Sequence, residues 1–115
     1  MGVKYEDIIK RLEALGYPIA EYEFRATKKN PAPAPPFIIY FRVVSSDGPD
    51  GMNRLERSAV SVELYTDRAP DHGIERRIET EVLNDVVYNK LQAEIESENM
   101  YQTAYEFNVV EKIKS

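Results

Sequence analysis

The chain has 115 residues, 43% of them hydrophobic and 30% charged, with a formal net charge of −5. That is material for one modest domain, exposing roughly 6,400 Å² once folded. The absence of cysteine removes disulfides, thiolate metal sites and cysteine nucleophiles, and the acidic balance opposes general binding to nucleic-acid backbones.

The opening "MGVKYED" has neither a basic nor an apolar stretch, so it does not read as a signal peptide. Glu6 stands where a myristoylation signal requires Ser or Thr. From Lys4 to Leu15, the residues Tyr5, Ile8, Ile9, Leu12 and Leu15 recur at helical spacing, with Glu6, Lys10, Arg11 and Glu13 opposite. Gly16 tolerates a left-handed exit and Pro18 stops continuation, so the spacing predicts a helix ending there. "IAEYEF", residues 19–24, alternates Ala20, Tyr22 and Phe24 with Glu21 and Glu23, the period of a half-exposed strand.

Residues 25–36 break the pattern with lysines, Asn30 and four prolines. "PAPP" at 33–36 is a formal P-x-x-P beside Lys28 and Lys29, so a polyproline ligand is one reading. A stiff ramp into a strand is the other, because proline fixes an extended backbone where pairing has not begun. "FIIYFRVV", 37–44, is apolar and β-rich and reads as a central strand. "SSDGPDG" predicts a turn, and residues 55–66 then alternate Val60, Val62 and Leu64 with Ser61, Glu63 and Tyr65, giving an antiparallel hairpin.

Asp71 is the predicted N-cap of a second helix, with Ile74, Ile78, Val82, Leu83 and Val86 as its inner stripe and an end near residues 84–88. "LQAEIES" and "MYQTAYEFNVV" then alternate about Glu98-Asn99, which predicts a second hairpin. A helix over residues 90–98 is the competing reading. The order is α-β-β-β-α-β-β. It predicts an α+β domain over 1–115, an antiparallel sheet of about four to five strands with two helices packed on one face.

Catalytic signatures are sparse. His72, the sole histidine, lies among Asp67, Asp71 and Glu75, but one helix-start loop supplies all of them and aspartates there already serve as caps. The serines carry no nucleophile motif, and the five glycines form neither a phosphate loop nor a dinucleotide fingerprint. No apolar run approaches the ~18 residues of a transmembrane helix. The expectation is a protein without catalytic, metal or cofactor residues, with a hydrolase using His72 as a distant alternative.

The ordered stretches "LEALGYPIA", "PPFIIYF", "VELYTD" and "EIESENMYQTAYEF" resemble the tail terminator, or tail completion, family of long-tailed bacteriophages and prophages. The resemblance runs from about Tyr5 to Phe107 and rests on strand and turn patterns. It implies a virion protein of the tail neck, assembled in the cytoplasm of the bacterial host. Family members form a ring, typically a hexamer, on the last disc of the tail tube. There they stop tube growth and meet the head connector. The partners implied are other copies of the chain, the major tail tube protein and the connector, with DNA passing through unbound. Surplus acid would suit such a lumen by like-charge repulsion.

Candidate assembly contacts are Pro33, Pro35 and Pro36 of the proline loop, and Asp47, Asp50, Met52 and Arg54 about the 46–54 loop. Met100 and Tyr101 are candidate apolar anchors. A head-completion or other connector protein is a neighbouring alternative. A monomeric peptide-binding adaptor is the alternative from a different class.

Overall fold

The computed structural model describes residues 2–47 and 54–113. Helix α1, Tyr5–Glu13, has Glu6 and Asp7 in its first turn and Lys10 and Arg11 in its last, both favourable to the helix dipole. Gly16 takes φ +88°, the left-handed exit that a Cβ would oppose. Strand β1 is short, Ile19–Glu21, and runs parallel to β2, Phe37–Asp47. The expected strand to residue 24 stops early because Tyr22 turns to φ +68° and leaves the ladder after one last bond to the Tyr40 carbonyl, 2.9 Å.

Strand β2 pairs antiparallel with β3, Arg54–Asp67, from Phe37↔Tyr65 to Asp47↔Leu55. Helix α2, His72–Arg77, begins at Asp71, whose Oδ1 accepts the Ile74 N–H at 3.1 Å. It passes into a π-turn, Ile78–Val82, closed by the Leu83 N–H on the Ile78 carbonyl, and so ends short of the expected residues 84–88. Strand β4, Asn89–Ile95, and strand β5, Met100–Ile113, form the second hairpin through a 3-10 turn at Glu96–Glu98, with Asn99 at φ +53°. The strand reading of residues 90–95 therefore prevails over the helical one.

The sheet order is β1-β2-β3-β5-β4. The chain is α+β as expected, and the sheet is mixed because β1 alone runs parallel to its neighbour. Strand β3, not β2, is central. The pairings carry no bulge, so one face collects Ile38, Val60, Val62, Leu64, Tyr105, Phe107 and Val109. These residues form one buried cluster with Tyr5, Ile8, Leu12 and Leu15 from the first helical segment and Ile74, Ile78, Val82 and Leu83 from the second. Both helical segments therefore cover the same face. Arg11 ties them together, donating to the Val82 carbonyl at 2.9 Å and gripping Asp85 at 2.7 and 3.2 Å.

Leu12→Ala should lower stability by about 2–5 kcal/mol, since its buried side chain leaves a cavity between helix and sheet. Lys10→Ala, on the exposed side of the same helix, should stay within about 0.5 kcal/mol. Urea denaturation of both variants checks the contrast.

Candidate interaction surface

The face of the sheet opposite the helices begins with Phe37, Ile39, Phe41 and Val43 on β2 and carries Leu91, Ala93 and Ile95 on β4. Between these apolar margins run Ala59, Ser61, Glu63 and Tyr65 of β3, with Ala104, Glu106 and Asn108 of β5. A trough of about 560 Å³ crosses the sheet, its small Ala59 and Ser61 floor flanked by Phe41 and Val43 on one side and Val87 and Asn89 on the other.

The proline loop occupies one end of this face. Phe24 meets Phe37 edge-on at 5.4 Å, and Phe37 stacks on Tyr65 at 5.0 Å. Pro33 and Pro35 are half-buried and line, with Met100 and these aromatic rings, a shallow pocket of about 330 Å³. The Tyr65 hydroxyl donates to Glu63 at 2.9 Å and accepts from Gln102 at 2.8 Å. Burial is the largest influence on that phenol, which is pushed up to about 12. The loop is thus seated on its own sheet, which agrees with a ramp into β2 and leaves its prolines less available as a ligand.

The expected contact residues fall in separate places. Pro33, Pro35 and Met100 converge on the pocket, while Pro36 is exposed beside it. Tyr101 stands on the helix-bearing face, paired with Thr66 and Glu94. Asp47 and Arg54 end β2 and β3, roughly 33 Å along the strands from the pocket. Asp50 and Met52 lie outside the described residues.

That far end has little cover. Val44 belongs to the helix-bearing face yet remains 44% exposed, and Val43 on the other face reaches 68%. Leu55 and Val110 beside them are exposed too, and Val87, on the loop before β4, is 95% exposed. The three-residue β1 covers β2 only through residues 38–40, and the Tyr22 hydroxyl takes the Arg42 carbonyl at 3.2 Å. Strand β4 covers β5 only through residues 100–106. Below those levels both outer edges of the three-stranded β2-β3-β5 arm lack a strand partner among the described residues.

The residues around His72 have another use. His72 is exposed, its Nδ1 3.3 Å from Glu75 Oε1, whereas Glu75 is 2% exposed. Lys90 Nζ reaches Glu75 at 2.8 Å and Glu79 at 2.7 Å. Gln92 donates to Glu75 at 3.2 Å, and the Tyr105 hydroxyl donates to Glu79 at 2.8 Å. This network fastens the edge strand β4 to α2. It also explains why Lys90 and Gln92 face the helices while Leu91 and Ala93 face outward: a buried carboxylate must be supplied with donors.

No protein-family model matches the chain, and no curated protein matches it.

Burial raises the Glu79 carboxyl, but hydrogen bonds from Lys90 and Tyr105 outweigh it and hold the group below its ordinary value. A carboxylate depressed in the folded state adds stability above its unfolded pKa, about 4.3, and loses it as pH falls through the lower folded value. Urea midpoints measured from about pH 6 down to pH 2 should therefore fall less steeply for Glu79→Gln than for the parent chain.

Proposed function

We propose that the chain is a structural subunit of the tail neck of a phage or prophage virion, assembling as a ring that caps the tail tube and offers a surface to the head connector. The observation that carries this reading is the β2-β3-β5 arm, without a strand partner at either edge among the described residues and with exposed valines on both faces. A ring subunit needs two different patches on opposite sides of itself, so that each contact is head-to-tail and the rotation closes. An arm with two open edges supplies such a pair.

Shape supports the same reading. The radius of gyration is 15.8 Å and the extents are 48 × 32 × 25 Å, against about 13 Å for the radius of a compact domain of this length. The accessible surface is 7656 Å², larger than the roughly 6,400 Å² of a compact monomer of this mass. Surface in excess is what an assembly subunit spends on its neighbours. The order of elements and the sequence resemblance to tail terminators supply the type of assembly. A head-completion protein would use the same features and differs in which end of the neck it meets.

A peptide-binding adaptor is the second reading, favoured by the same bare edges, to which an extended peptide could add as a strand. Light scattering coupled to size-exclusion over a wide concentration range separates the two. The virion reading expects ring-sized species, or self-association that becomes strong with the cognate tail tube protein, and capped tubes in negative stain. A chain that stays monomeric and never caps tubes would overturn it. If "PAPAPP" were a ligand, Pro33→Ala with Pro36→Ala would abolish partner binding with the fold intact. The ramp reading expects each change to alter stability by no more than about 1 kcal/mol.

A further inference from the structure

We infer that the copies join by strand pairing: the outer edge of β2 at Val43–Asp47 in one copy adds, in parallel, to the outer edge of β5 at Asn108–Lys112 in the next. This deepens the ring-subunit reading and rests on it. The occupant of each edge is a second copy of this chain.

Four observations carry the pairing. The first is that the two edges lie level. The register runs Val43↔Ala59↔Asn108 at one end and Asp47↔Leu55↔Lys112 at the other, without a bulge between. The second is direction. β2 and β5 each run antiparallel to β3, so they run the same way, and a neighbour turned about an axis along the strands presents β2 parallel to β5. A two-fold dimer would pair β2 with β2, or β5 with β5, and leave the other edge bare. The head-to-tail contact uses both.

The third is chemistry. Natural edges are blunted by proline, bulges or inward charges; neither stretch contains a proline or a bulge, and the one inward charge, Glu111, already accepts the Tyr5 N–H at 3.5 Å. Val43 and Val44 stand exposed on opposite faces of one edge strand; beside the other lies a trough of about 520 Å³ lined by Val3, Val86, Val87 and Val110 together with Asp85 and Asn108. The fourth is charge. With no shift along the strands, backbone position 47 of one copy falls level with Lys112 of the next, and the sequence places an aspartate there, opposite in sign.

Backbone polarity selects a clean test. Ile38 donates its N–H to the Pro18 carbonyl, and the Tyr40 carbonyl accepts from Tyr22, so even-numbered β2 residues direct their backbone groups outward. Val44 is one of them. Val44→Pro therefore removes a donor from the open edge and leaves the β3 ladder intact. In light scattering of the full chain, Val44→Pro and Asp47→Lys should each raise the concentration needed for association at least tenfold, and Val87→Lys should weaken it as well. Lys112→Asp added to Asp47→Lys should restore it.

Circular dichroism checks that the variants fold; should Val44→Pro unfold, the charge-reversal pair decides. Association unchanged by Asp47→Lys, or lost and not regained in the double variant, overturns the pairing while leaving the ring reading standing. A parent chain that remains monomeric at every concentration, with tube protein present, overturns both.

Discussion

Strand β3 is paired along its whole length, with β2 from Leu55 to Tyr65 on one side and with β5 from Arg54 to Asp67 on the other. Because neither ladder slips, the two-residue period of three strands stays in phase over more than ten levels. A single shift would turn Val60, Val62 and Leu64 to solvent together. The helices then need only one apolar face to dock on, and they find it in the upper part of the sheet. What they do not reach, the arm beyond Ser58 and Val109, keeps the same period with half its cover missing. Core and candidate interface are thus two stretches of one ladder.

A polar network fixes the other edge. Glu75 would be expensive to bury alone, and Lys90 and Gln92 of β4 converge on it with His72 of its own helix. Burial weakens the Lys90 ammonium, and its two carboxylate partners outweigh that, so it stays charged with a raised pKa. The network contributes placement more than net stability. It orients β4 so that the apolar Leu91 and Ala93 look away from the helices.

The parts legible in the sequence are those where one local signal decides. The 3.6 period with Gly16 gave α1, Asp71 gave the start of α2, and alternation through Val60, Val62 and Leu64 gave the central hairpin. β1 was overextended because alternation through Phe24 says nothing about the left-handed turn at Tyr22. The inner face of β4 was hidden because the partner that turns Lys90 inward, Glu75, lies 15 residues away across the fold. Of the anticipated contact residues, Pro33, Pro35 and Met100 share a pocket. Tyr101 does not, since neighbours along a strand point to opposite faces. The bare arm was not legible, because it depends on how far two helices extend over a sheet, a tertiary quantity.

The bond between Arg11 and Asp85 joins residues 74 apart, and the strand that completes the central ladder, β5, is the last element in the chain. As synthesis proceeds, α1 and the β2-β3 hairpin are complete before the surfaces they close against have been made. Such a chain has a high contact order and gains its core late and all at once. Until then the valines of the arm are available to any nascent neighbour. Contacts this distant in sequence slow folding, because the loops they close must be ordered before the contacts form.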